Sequence, residues 1–539
     1  MQLWMPKLLV PRTLQQCPAG RIFCQRFPFV TIRLLSGSNI ILSLGIAVCA
    51  GPVAKAQVFG GDDVGPPNVI IGNSGAGTLS IGNSSVLSDT SANIANAHGS
   101  NGSVTVGGAG STWTNSNYLL VGYAGTGSLA ISNGGKVSVA ANGLGTAIGY
   151  NAGSSGTVTV DGVGSNWSNS GGLTVGNSGT GSLTITNGGS VTDFVLGFKI
   201  GSVAGGQGTV IVDGAGSSFT NSSGGSVGVS GNGSLTLSNS GLFTVKNGTG
   251  TATLGMNSTG VGTVNIGGTV AGPAKAGGIL DAKSVTTGTG SGALQFNTTS
   301  TSSNPYYFTN NGTSSGSAIA ITGPTQLTNT GGFNVLTGTN TYTGTTTVNG
   351  GTLDIAAGAT IDATAVKLNG GTIQDDGTLD PPSIDVYATA TLDGTGTILG
   401  DISNAGTVIL GDSASGPGTL SETGNYGQSA GGALVEGIDS ATDYGHFDVT
   451  GNVTLGGSLD IDLVGGFDPT HGETFDLIDY SGTESGAFAP IADWTVVYDA
   501  SGINNGHEVE IEYVPDAAST LGLLSLAFSV LALVRQKLS

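Results

Sequence analysis

A short apolar pattern that returns at nearly constant spacing constrains this chain more than any other feature. The triplets Leu79-Ser80-Ile81, Leu129-Ala130-Ile131, Leu183-Thr184-Ile185 and Leu235-Thr236-Leu237 each follow a Gly-Ser or Gly-Thr pair. Between them lie Val104-Thr105-Val106, Val158-Thr159-Val160, Val210-Ile211-Val212 and Val264-Asn265-Ile266. The first set steps by 50, 54 and 52 residues and the second by 54, 52 and 54, so consecutive triplets fall 25 to 29 residues apart. A triplet with apolar first and third positions is a short strand with one face buried. Repetition at this period, with Gly, Asn and Ser between, predicts one coil of a parallel β-helix per triplet. Trp113, Trp167 and Phe219 keep the same beat. They predict an aromatic packing ladder, or, facing outward, a stripe for sugar rings. Glycine and asparagine are assigned to the corners, where φ is often positive.

Composition supports an array over a set of globules. Glycine contributes 98 of 539 residues, and only 9% are charged. Such a composition without a period would mean disorder; the period makes the glycines turns. The net charge of −20 is unevenly spread: residues 1–56 hold six basic residues and no acid. From Gln57 to Val514 the basic residues are Lys136, Lys199, Lys246, Lys275, Lys283 and Lys367, with no arginine. Nucleic-acid binding needs clustered cations to neutralise phosphates, so no nucleic-acid partner is expected. All three cysteines (Cys17, Cys24, Cys49) precede residue 57. An exported chain cut there is held by its core and its ladders, without disulfides.

Both ends read as addresses. The apolar run 40–48 (IILSLGIAV) follows five basic residues and precedes Ala54-Lys55-Ala56, a small-x-small pattern before Gln57. This is the layout of a signal peptide, 1–56, cleaved after Ala56. At the far end Val514-Pro515-Asp516-Ala517-Ala518-Ser519-Thr520 leads into an apolar run, 521–534, then Arg535 and Lys537. The run is short for a membrane span, and its basic end is expected to stay cytoplasmic.

The tail resembles the sorting signals of the PEP-CTERM class in the variant that begins Val514-Pro515-Asp516 and continues to Ser519-Thr520, with Arg535 as the basic stop. It departs from the usual pattern at Ala517-Ala518. The resemblance implies an exosortase-type membrane protease as partner, transient anchoring in the inner membrane, and a final place in the envelope, at the cell surface or in the extracellular matrix. Residues 175–189 (VGNSGTGSLTITNGG) resemble a repeat of exported autotransporter-type and PEP-CTERM-type proteins, matched over 70–268. Residues 336–353 (LTGTNTYTGTTTVNGGTL) look like the autotransporter-associated β-strand repeat. The stretch after Tyr513 is too short for even three membrane-spanning strands of about 10 residues, so the chain is not expected to carry its own translocator barrel.

The organisation expected is therefore all-β: signal peptide 1–56; β-solenoid 57–268; an irregular Thr/Ser/Asn-rich connection 269–324, where the beat breaks; a second solenoid 325–430; a solenoid end or cap 431–513; and a sorting tail with a short transmembrane segment, 514–539. Catalytic features are sparse. Lyases of anionic pectin use arginine or lysine, and no arginine occurs in 57–513. The paired carboxylates Asp375-Asp376 and Asp460/Asp462 read as solvated turn or strand residues rather than the two cooperating acids of a hydrolase. His98, His446, His471 and His507 are scattered, without the spacing of a zinc site. Asp161 and Asp213 recur after triplets but lack the nonapeptide pattern of calcium β-rolls. No catalytic, cofactor or metal residue is assigned. The expected function is a structural or adhesin-like envelope protein, not an enzyme, with extracellular polysaccharide or other surface proteins as further partners. The alternatives are a carbohydrate-active β-helix enzyme and a binding module for neutral glycans.

Overall fold

The structure, a computed structural model, describes residues 57–61, 63, 65–140, 145–412, 416–498 and 507–515. Ala54, Ala56, Asp516, Ser519, Thr520 and Arg535 lie outside them, as do the leader 1–56 read as a signal peptide and the apolar run 521–534. The described residues all belong to one compact unit, Val53–Ser539. It is all-β, with long parallel sheets built from successive coils. Among the described residues no helix is long and apolar enough to cross a membrane.

One sheet collects every triplet. Strands such as Ala76–Ile81, Asn101–Gly107, Thr126–Ser132, Ser155–Asp161 and Thr180–Thr186 pair in parallel without a register shift. Leu79, Val104, Leu129, Val158, Leu183, Val210, Leu235 and Val264 therefore form one column. The two interleaved sets of the sequence are one ladder. All eight side chains are buried. Their middle neighbours, such as Thr159 and Thr184, point the other way, as strand alternation requires.

The aromatic beat is interior. Leu87, Trp113, Val137, Trp167, Val191, Phe219 and Phe243 share a column on a second sheet. Trp113, Trp167 and Phe219 are fully buried. The tryptophans do not stack on each other: Val137 separates them, whereas Phe219 and Phe243 are direct neighbours and pack edge to face. Two residues on, Asn169, Asp193 and Asn221 form a buried polar rung. Asn169 Nδ2 donates to Asp193 Oδ1 at 3.0 Å and Asn221 Nδ2 to Asp193 Oδ2 at 2.9 Å.

Glycine has two separate jobs. Corner glycines such as Gly176 (φ +70°) supply positive φ. The glycine before each triplet instead sits on a strand and faces inward, where no space is left. A Cβ on Gly181 would lie 2.2 Å from Gly176 N and 2.4 Å from Ile148 O. Gly181→Ala is therefore expected to destabilise by about 3 kcal/mol through overpacking against rigid backbone. Gly205→Ala, at a corner with open space but φ +84°, should lose only about 1 kcal/mol. Denaturant midpoints of the two variants check this, and equal losses would refute the crowding argument.

The connection 269–324 is not a break in the ladder. Ile279–Asp281, Ser284–Thr287 and Ser291–Asn297 all pair in parallel with the preceding coil, and Leu294 hands the triplet column on to Leu327. What changes is coil length. From Leu327 the column runs through Thr346, Val366, Ile384 and Ile402, steps of 19, 20, 18 and 18 residues. Antiparallel strands stand at both ends. Gln57–Gly61 pairs with Ala76–Ile81, and Glu508–Tyr513 pairs with both Thr474–Tyr480 and Trp494–Tyr498. They occupy strand edges that a bare parallel ladder would leave open to aggregation.

Candidate functional site

The densest group of potentially ligating side chains among the described residues lies in the last coils. It arises from strand alternation. In His446–Val449, Phe447 and Val449 are buried, so His446 and Asp448 face outward. The next parallel strand sets Asp479 beside Asp448, and the antiparallel closing strand sets Glu508 beside Asp479. Ser421 continues the row on the other side of Asp448. The row borders an open groove of about 750 Å³ that also takes in Thr450, Ser481 and His507.

His446 organises one end of this group. Its Nδ1 lies 3.0 Å from the backbone carbonyl of Asp476, which only accepts, so Nδ1 carries the proton and donates. Nε2 then points at two carboxylates, 3.1 Å from Asp448 Oδ1 and 3.5 Å from Asp479 Oδ2. Burial pulls the imidazole pKa down. The Asp476 carbonyl and the carboxylates of Asp476, Asp448 and Asp479 outweigh it, and the pKa sits above the ordinary value. At the other end, burial and then Asp479 push Asp476 up to about 6. Burial, followed by Asp476 and Asp479, pushes Glu508 up to about 7. Asp476, Asp479 and Glu508 offer oxygens within 4.8 Å of one another, as do His446, Asp448 and Asp479 through their own ligand atoms. Glu508 is 1% exposed, and its Oε2 has no hydrogen-bond partner. No lysine or arginine occurs between Lys367 and Arg535 to balance these acids.

The other residues weighed from sequence are dispersed. Asp460 and Asp462 are exposed on Ser458–Leu463. Asp375 is not solvated, contrary to its reading as a turn carboxylate: it is fully buried, and burial, with Asp376 and Asp354 nearby, raises it to about 7. Its turn chemistry holds, since Oδ1 accepts from Gly377 N at 3.2 Å. Asp161 and Asp213 clasp the following coil, accepting from Thr186 and Asn187 and from Ser238 and Asn239 respectively. His98 and His471 are exposed and outside the group. Gln57 opens the first strand, and Val514 and Pro515 directly follow the last. Outward aromatic contact comes from residues the sequence did not single out: Tyr123 and Tyr150, at equivalent corners of successive coils, stack with centroids 5.6 Å apart. No protein-family model and no curated protein matches the chain.

Proposed function

We propose that this chain is an exported structural or adhesin-like protein of the cell envelope or extracellular matrix, delivered by an exosortase-type sorting system. The observation that carries the reading is the division of the coils into a largely aliphatic inside and an outside that carries many hydroxyls. Ser80, Thr105, Thr159 and Thr184 face outward in one column between buried aliphatic ones, a column that also takes in Ala130 and Ile211. A strand ladder repeats about every 4.8 Å, so the outward hydroxyls of this face stand at multiples of that spacing, within reach of a polymer or a neighbouring surface protein. The basic-then-apolar leader and the Pro515-Asp516 tail supply the route.

The sorting tail provides the test. Its apolar run partitions into the bilayer, Arg535 and Lys537 hold their end in the cytoplasm, and Pro515 keeps the motif extended at the outer face. Deleting 514–539 should leave folding intact and divert the protein to a soluble periplasmic pool, read by fractionation and circular dichroism. Replacing Pro515 and Asp516 alone should leave it attached and uncleaved. Recovery of peptides from 521–534 in the mature protein from its native host would replace the sorting reading with a permanent anchor.

Binding of neutral glycans is the second reading. Trp113 and Trp167 are inside, so it rests on the Tyr123–Tyr150 stack. Loss of glycan-array signal in a Tyr123→Ala, Tyr150→Ala double variant is its expected signature.

A further inference from the structure

We propose that the outer face of the last coils binds one divalent transition cation, with zinc as its type, through His446 Nε2, Asp448 and Asp479, backed by Glu508 and Asp476. Three independent features of the fold converge on this.

The first is the imidazole. Nδ1–H donates to the Asp476 carbonyl, which fixes the ring so that Nε2 faces Asp448 and Asp479: protonated, it pairs with them, and a cation displaces that proton to bind the lone pair between them. An outer hydrogen bond from one ring nitrogen to a carbonyl is how ligating histidines are held in tautomer and orientation. The second is Glu508. It is 1% exposed, its Oε2 lacks a hydrogen-bond partner, and its carboxylate stands within ligand spacing of Asp476 and Asp479. A buried carboxylate oxygen left without a donor is costly, and a cation beside the row removes that cost. The third is charge. Asp448, Asp479 and Glu508 are direct cross-strand neighbours, an arrangement of like charges that destabilises a sheet. No lysine or arginine follows Lys367 before the tail, so His446, when protonated, is the single positive side chain the row has, too little for its four acids.

The ligand chemistry selects the ion class. Imidazole nitrogen with carboxylate oxygens suits zinc and its first-row neighbours, whereas calcium prefers six to eight oxygens. The bound ion would join three strands: His446–Val449, Thr474–Tyr480 and the antiparallel Glu508–Tyr513. It would thus staple the closing strand to the coils it covers.

The test uses the purified full-length protein in detergent, stripped with chelator and titrated calorimetrically with zinc chloride, then with calcium chloride. One equivalent of zinc is expected to bind saturably and to raise the unfolding temperature. His446→Gln and Asp448→Asn should each weaken zinc at least about tenfold, while Asp460→Asn, on another strand, should not. Asp448 is surface-exposed, so its variant keeps the fold even where changes at Glu508 do not; circular dichroism of each variant verifies this. Absence of a saturable equivalent, equal zinc affinity in His446→Gln, or calcium binding as tight as zinc and indifferent to His446 would each overturn the proposal.

Discussion

Acidification from pH 8 to pH 5 should raise the unfolding temperature of this protein, by about 10 °C, whereas a shell of solvated carboxylates would leave it nearly flat. The cause is a set of acids carried into the interior by the coils. Burial raises Asp375 to about 7 and Glu422 to about 8, and holds Glu436 well above its ordinary value. Asp89 and Asp354 are raised to about 7 and Asp193 to about 6, in each case chiefly by burial. In the unfolded chain these groups titrate near the ordinary carboxylate values of about 4. Between about pH 4 and pH 8 the native state therefore binds more protons than the unfolded state. Unfolding free energy then falls as pH rises and climbs as pH falls through the folded values. Each pKa unit corresponds to roughly 1.4 kcal/mol, so the three most buried acids together contribute several kcal/mol across the window. Asp161 and Asp213, held low in part by hydrogen bonds from Thr186, Asn187, Ser238 and Asn239, oppose this only at lower pH. Thermal melts of the wild type and of Glu422→Gln check the argument, and the variant should lose about one proton's worth of the slope. A melting temperature that drops on acidification would show that these acids are not buried as described.

The second large effect is placed in the triplet column. Leu183 is fully buried between Val158 and Val210. Leu183→Asp puts a carboxylate there with no cation within the column, and should destabilise by about 5 kcal/mol, among the largest losses for a point change. Thr184→Asp, one residue on and facing out, should lose no more than about 0.5 kcal/mol. Each coil touches only its neighbours, so the damage at Leu183 should begin locally. Limited proteolysis is expected to cut Leu183→Asp in the flanking corners while Thr184→Asp resists like the wild type. Equal protease resistance of the two variants would contradict the half-buried strand.

How much could be read beforehand differs between elements for physical reasons. Alternation named the inside of every triplet, and the constant spacing placed both triplet sets in one array. The same alternation carried information that residue type concealed. Asp375 lies two residues after Ile373, Glu422 two after Leu420, Glu436 two after Leu434 and Asn169 two after Trp167. All of these polar side chains are buried with their apolar partners. Parity was the guide; polarity argued the opposite and was overruled by the ladder. That strand pairing continues through 269–324, where the beat of the sequence breaks, has a related reason. A hydrogen-bonded ladder needs only that strands meet in register, and it tolerates excursions of any length between them. A change of period in the sequence is thus not a break in the sheet.

The sequence by itself determined an all-β array with a defined repeat, the inward set of each strand, and the chemical character of the two ends, because these follow from composition and from a period of two along the chain. Tertiary structure alone decided that the tryptophans pack between aliphatic side chains, that the strand glycines serve close approach, and that His446, Asp448, Asp479 and Glu508 meet. Asp448, Asp479 and Glu508 are 31 and 29 residues apart in sequence yet adjacent in the sheet. Which side chains become neighbours depends on how many residues each coil spends before returning, and at the end of the array the closing strand reverses direction, which no period along the chain reveals.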